Sequence, residues 1–264
     1  MAVYSLIKDP PLHRHSLAKP HFLEKITSIL DVGGISFKKH RGKWYRDVGA
    51  PKDAWGVTHI LDKKTSKPHI FTINVTRDYD HNDRKPDMYY DGLHIPFADS
   101  SYDIVTSIDV LEHVPKDERP QLISEMIRVS KYKTIIVCPF YCLENVKMEE
   151  DILADMKEKN ILPKPSLKEH REFELPKISD LEKTLTEKNL KYSIHFGTNR
   201  KTMEKYYFFQ NSINSLLHIS HTSKDEVKKL LDIVMHAAGS VFNMANMVEK
   251  KDAYRVILSI VKQT

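Results

Sequence analysis

Tyr102-Asp103-Ile104-Val105-Thr106-Ser107-Ile108 is a largely apolar, β-branched run that ends on Asp109. A strand without polar and apolar alternation suits a sheet covered on both faces, the usual setting of parallel strands. The flanking sequence agrees. Lys116 to Val129 carries Leu122, Ile123, Met126 and Ile127 at helical spacing. Thr134-Ile135-Ile136-Val137-Cys138 is a second apolar run, halted by Pro139. Strand, helix, strand at this rhythm predicts a mostly parallel α/β sheet, because parallel neighbours need a crossover long enough to hold a helix.

Upstream, Ser28-Ile29-Leu30-Asp31-Val32-Gly33-Gly34 reads as a buried strand ending in a tight turn, with further strands at Val57–Asp62 and His69–Asn74. Downstream, the pattern predicts helices over Glu149–Asn160 and Ser179–Lys188, with a loop over Pro163–Pro176 between them. A strand at Lys191–Gly197, helices over Lys201–Leu217 and Lys224–Val248, and a last strand at Tyr254–Val261 complete the chain. Pro10, Pro11 and Pro20 mark residues 1–20 as an arm with little regular structure. Residues 21–199 and 252–264 then form the α/β domain, and 200–251 a helical cap inserted before the last strand.

Composition bounds the function. Of 264 residues, 41% are hydrophobic and 29% charged, which suits a globular protein and excludes a disordered one. No stretch reaches the ~20 apolar residues of a membrane span, and charge and prolines break the start before a signal core could form. A cytoplasmic location without membrane partners is expected. Cys138 and Cys142 lack a second Cys/His pair, so they read as reduced thiols rather than a zinc site. The net charge of +5 is mild and its Lys and Arg are spread along the chain, so a nucleic-acid partner is not favoured. The oligomeric state leaves no mark in the sequence.

A strand, an acid and a glycine turn place backbone N–H groups beside a nucleotide-like ligand. Asp31-Val32-Gly33-Gly34 fits that start, but Ile35, Ser36 and Phe37 follow, so the G-x-G-x-x-G fingerprint is missing, as is the phosphate-cradling G-x-x-x-x-G-K-[ST] loop. The segment from Tyr90 to Val114, with Asp91-Gly92, Ile95-Pro96-Phe97, Tyr102-Asp103 and Asp109-Val110-Leu111-Glu112-His113, resembles the central block of class I S-adenosylmethionine-dependent methyltransferases. Within them it is most similar to the subgroup that modifies small molecules. With Asp31 before it and Ile135–Pro139 after it, the resemblance covers roughly residues 26–140.

The resemblance implies a Rossmann-like fold: a seven-stranded, mostly parallel sheet with helices on both faces and a reversed last strand. It implies S-adenosyl-L-methionine as cofactor. Asp31, Gly33 and Gly34 would surround its methionine part, and Asp62 would accept hydrogen bonds from both ribose hydroxyls. Asp91 and Gly92 would meet the adenine edge, and Ile108 and Asp109 would line the place where the methyl group is presented. Two departures stand out. Ile35 and Phe37 occupy positions where the family has further glycines. Asp62 also lies 31 residues after Asp31, against about 20 in related folds, which predicts a longer first helix or an added loop.

His113 is the first candidate for a base that takes the acceptor's proton, since histidine titrates near neutrality; His170 and Tyr141 are further candidates. The expected reaction moves a methyl group to an oxygen or nitrogen of a small-molecule or glycan-like acceptor. An RNA methyltransferase and a non-catalytic cofactor-binding protein remain alternatives. With His170, Asp109-x-x-Glu112-His113 also resembles the metal site of small-RNA 3′-terminal 2′-O-methyltransferases, built from two carboxylates and two imidazoles. Asp109 stands where that pattern has Glu, and Glu-His is common at this junction in metal-free relatives, so no metal is expected.

Overall fold

The computed structural model describes residues 17–18, 21, 26–34, 37–40, 43–46, 68–75, 84–163, 165–219 and 247–262. The main sheet contains β1 (Ser28–Val32), β4 (His69–Asn74), β6 (Met88–Tyr89), β7 (Tyr102–Ile108), β8 (Ser130–Pro139), β9 (Lys191–Asn199) and β10 (Ala253–Val261). Between β1 and β7 lie three shorter strands, β2 (Phe37–His40), β3 (Lys43–Arg46) and β5 (Arg84–Lys85). The seven strands of the main sheet run in the order β6-β4-β1-β7-β8-β10-β9. Neighbours from β6 to β8 are parallel, and β10 lies antiparallel to both β8 and β9. This is the expected Rossmann-like sheet with one reversed strand at its carboxyl end.

The central strands are apolar on both sides because each side has its own cover. Leu30, Val32, Val105, Ile136, Cys138, Val256 and Leu258 enter one core, together with Leu122, Ile123 and Met126 of α1 (Arg119–Val129). Leu181 and Leu185 of α4 (Ile178–Glu187) join the same core. The alternating residues Ile29, Ile104, Ile108, Ile135, Val137 and Ile257 enter the other. At about 1.5–3 kcal/mol for each fully buried large aliphatic side chain, this two-sided burial dominates the stability of the sheet. Leu17 and Ala18, at the end of the stretch read as an arm, pack into the second core.

Two readings of the sequence change, and a third lies outside the described residues. The strand beside β1 is His69–Asn74, whereas Val57–Asp62 lies outside the described residues. The segment after Gly34 gives neither a longer helix nor a plain loop among the described residues. It gives the antiparallel sheet β3-β2-β5. The expected loop at Pro163–Pro176 contains α3 (Pro165–Phe173), whose buried positions are Leu167 and His170; a helix with one apolar contact and one imidazole inward shows no apolar stripe in the sequence.

Of the expected cap, α5 (Arg200–Ile219) is described and residues 220–246 are not. Met203, Tyr206 and Tyr207 of α5 pack on Met148, Ile152 and Met156 of α2 (Leu143–Glu158). Tyr206 and Tyr207 are therefore core, while Phe209 on the same helix is exposed.

His21 sits against β9, with its ring centroid 4.7 Å from that of His195, and its buried Nε2 has no hydrogen-bond partner among the described residues. Burial first, then the charges of His195 and Lys133, lower its pKa from 6.5 to about 4. The unfolded chain therefore binds this proton at higher pH than the folded one. Stability is full above about 6.5 and falls as the pH drops toward about 4. Thermal midpoints across this window should fall further in the wild type than in His21→Leu; equal falls would contradict the assignment.

Candidate active site

The strand order turns outward in opposite directions from β1 and β7, so their carboxyl ends border the crevice where open α/β sheets bind ligands. Gly33 closes β1 with φ +85°, a conformation that costs a side chain but not glycine. Its N–H donates to Ile73 O at 2.7 Å, and its carbonyl accepts from Asn74 Nδ2 at 3.1 Å. A Cβ at Gly33 would overlap Val110 Cγ2, and one at Gly34 would overlap the Asp31 carboxylate. Asp31 itself is buried and accepts from Thr106 Oγ1 at 2.8 Å, which ties β1 to β7 under the turn.

Asp91 follows β6 at the same end of the sheet. Its carboxylate accepts from the His94 and Leu93 N–H groups at 2.7 and 2.8 Å, and meets His94 Nδ1 at 2.8 Å. Those backbone bonds, led by that of His94, lower its pKa to about 2, so the exposed carboxylate stays ionised. Gly92 has φ +97°, and a Cβ there would lie 3.1 Å from Val75 Cγ1. Asp62 lies outside the described residues. The residue ending the strand next to β1 is Asn74, whose amide reaches back to the glycine turn. Ile108 belongs to the core beneath the sheet.

Asp109 adopts φ +54° and turns its side chain into the protein. Both carboxylate oxygens accept from Arg255 of β10, from Nε at 2.9 Å and from an Nη at 2.8 Å. The other Nη of Arg255 donates to Thr198 Oγ1 at 3.2 Å, and Thr198 is itself left-handed at φ +60°. One buried guanidinium thus fixes two residues that would otherwise avoid this conformation.

A short 3-10 turn, Leu111–His113, continues from Asp109. Arg119 holds α3 beside it: Nε donates to Val114 O at 3.0 Å, and an Nη donates to the carbonyls of Phe173 and Glu174. This places His170 against His113, with ring centroids 5.0 Å apart. His113 Nδ1 pairs with Glu169 at 2.7 Å, and its Nε2 is 3.8 Å from Glu112 Oε1. His170 Nδ1 pairs with Glu149 of α2 at 2.9 Å, and Glu149 also accepts from the Tyr254 hydroxyl at 2.6 Å. Burial above all, then the Asp109 charge, raises the pKa of Glu112. For His170, burial is the largest single effect and lowers the pKa, but the bond to Glu149 together with the charges of Glu149, Glu112 and Asp109 raises it above the ordinary value.

Of the three candidate catalytic residues, His113 and His170 come together. Tyr141 lies apart from them, half-exposed under Lys177 Nζ at 5.1 Å from its ring. Glu149, Tyr254 and Arg255 went unrecognised as site residues. Glu149 shares a helix face with Asn145, Met148, Ile152 and Met156, an acid at a core position. Arg255 is the only charged residue in β10. Both are signals that an apolar pattern interrupted by one charge can carry.

Residues 74–138, from the end of β4 to the end of β8, match the family model of a methyltransferase domain. None of the curated proteins compared matches the chain in sequence. Among solved structures, a SAM-dependent methyltransferase from Archaeoglobus fulgidus is 13% identical, with 94% of each chain covered and a TM-score of 0.48. YcgJ from Bacillus subtilis is 13% identical, covering 96% of this chain and 100% of that one, with a TM-score of 0.46. Phosphoethanolamine N-methyltransferase 2 from Haemonchus contortus, solved with S-adenosyl-L-methionine, is 14% identical over 94% of this chain and 51% of that one, with a TM-score of 0.46. The match lies within the Rossmann-like seven-stranded sheet, at its central strands β7 and β8. The family match covers residues 74–138 of the 264.

Proposed function

We propose that the chain transfers the methyl group of S-adenosyl-L-methionine to an oxygen or nitrogen of a small-molecule or glycan-like acceptor, leaving S-adenosylhomocysteine. The observation that carries this reading is the glycine turn at the carboxyl end of β1, where Val110 fills the space a side chain would need. The residues present fit the cofactor. Gly33 and Gly34 leave backbone without Cβ at the crevice, Asn74 offers an amide at the end of β4, and Asp91 keeps an ionised carboxylate in solvent. A carboxylate has about four lone-pair sites, so three local donors leave Asp91 able to accept from an adenine amine.

The cofactor supplies an electrophilic methyl group on a good leaving group. The chain's work is to hold the acceptor atom in line at about 3 Å and to exclude water. Next to the crevice, a Glu169 carboxylate oxygen lies 2.7 Å from Nδ1 of His113, and a proton held on Nδ1 would leave a lone pair on Nε2. That lone pair takes a proton or a cation according to its neighbours. The helical segment from Arg200 onward is read as the cap that shapes the acceptor pocket.

No described helix is long and apolar enough to cross a membrane, and Cys138 and Cys142 are free; both support a cytoplasmic setting. The reading is tested by incubating the chain with S-adenosyl-L-methionine and panels of hydroxylated and amino acceptors. Release of S-adenosylhomocysteine that depends on acceptor is expected. Cofactor binding with no turnover on any panel would favour a non-catalytic protein.

A further inference from the structure

Glu112 Oε2 and His170 Nε2 are buried and have no hydrogen-bond partner among the described residues, and their residues are only 1% and 7% exposed. Leaving such atoms unpaired in a low-dielectric interior is unfavourable, so two in one place call for a common occupant. One donor atom from each of Glu112, His113 and His170 lies within 4.8 Å of the others. His170 is braced at Nδ1 by its hydrogen bond with Glu149 at 2.9 Å, and a Glu169 carboxylate oxygen lies 2.7 Å from Nδ1 of His113 without hydrogen-bond geometry. A carboxylate on Nδ1 fixes the tautomer, aims Nε2 and raises its basicity, as metal-ligating histidines require.

We propose that Glu112, His113 and His170 bind one divalent first-row transition-metal ion, with Asp109 outside the coordination shell. Asp109 is excluded because both of its oxygens are held by Arg255, which also cancels the guanidinium charge beside the site. Two imidazoles and one carboxylate suit an ion of the zinc, cobalt or manganese kind rather than magnesium or calcium, which take oxygen shells. Metal–ligand bonds of about 2.0–2.2 Å set donors roughly 3.4 Å apart, so the three close in as the ion enters. Entry is from the side of His113 and Glu169, whose side chains are 13% and 21% exposed. Three protein donors leave positions open for an oxygen ligand. The binding claim stands on the cluster alone; a role for the ion as Lewis acid on an acceptor oxygen rests on the methyl-transfer reading.

The test titrates Co2+ into the metal-free 264-residue chain without cofactor, followed by calorimetry and visible absorption. One saturable equivalent is expected. His170→Ala and Glu112→Gln should weaken it by about 100-fold or more, and Glu149→Gln, which keeps all three donors, by about 10–100-fold. His69→Ala, at an exposed histidine, should leave it unchanged. Pulsed electron paramagnetic resonance of the Cu2+-loaded wild type needs no variant to fold, and should count two imidazole nitrogens. No saturable binding, unchanged affinity in His170→Ala and Glu112→Gln, or fewer than two coordinated imidazoles would overturn the proposal. A separate titration with S-adenosyl-L-methionine keeps the two readings apart, since cofactor binding without metal binding removes the metal alone.

Discussion

Arg255→Met is expected to lower the free energy of unfolding by about 3–5 kcal/mol, the usual result of removing one partner from a buried ion pair. Arg255 and Asp109 are 8% and 7% exposed at their side chains, so water cannot replace the lost guanidinium. Methionine matches the length of the arginine stem and keeps packing nearly constant, which leaves charge as the variable. Three bonds disappear at once: two to Asp109 and one to Thr198. The left-handed backbone at both acceptors then loses its restraint. Adding Asp109→Asn should recover much of the loss, because the stranded charge is gone. Urea unfolding of the single and double variants measures both effects. A loss below about 1 kcal/mol for Arg255→Met, within the range of unremarked surface changes, would show that the pair does not set this corner of the site.

Gly33→Ala is expected to have the second large effect, for two separable reasons. A left-handed backbone at a non-glycine residue costs about 1–3 kcal/mol. The new methyl also collides with Val110 Cγ2, and overpacking of this kind typically costs about 1–3 kcal/mol more. Val110 leads directly from Asp109 into the turn that carries Glu112 and His113, so relief of the clash displaces the site. In a Val110→Ala background the steric part should vanish and the backbone part remain. Unfolding midpoints of the four proteins in this cycle separate the two. If Val110→Ala gives no relief, the contact between the turn and Val110 is not the reason glycine is needed.

Much of the sheet was legible because buried parallel strands announce themselves as short apolar runs. His69–Asn74 and Tyr102–Ile108 were read at their observed bounds. What could not be read was spatial order. Nothing in a lone run of apolar residues says which neighbour it pairs with; the structure puts Asn74 at the end of the strand beside β1, and Asp62 lies outside the described residues. The antiparallel β2–β3 pair carries Lys38, Lys39, Lys43 and Arg46, charge that hides strand character.

At the site, His113 and His170 stood out by residue type, since few side chains titrate near neutrality. Their carboxylate neighbours did not. Glu149 and Glu169 look like ordinary helix acids until the fold brings α2 and α3 against one turn. Arg255 was visible as a single charge in an apolar strand, but only the pairing of β10 with β8 shows that its partner is Asp109.

The most direct test is a calorimetric titration of S-adenosyl-L-methionine into the wild-type chain and into Gly33→Ala. Binding at the crevice formed by β1, β4 and β7 requires one saturable site in the wild type and an affinity at least about tenfold weaker in Gly33→Ala, a difference of about 1.4 kcal/mol. Absence of heat up to millimolar cofactor in a folded wild type, or equal affinity in the two proteins, would contradict it.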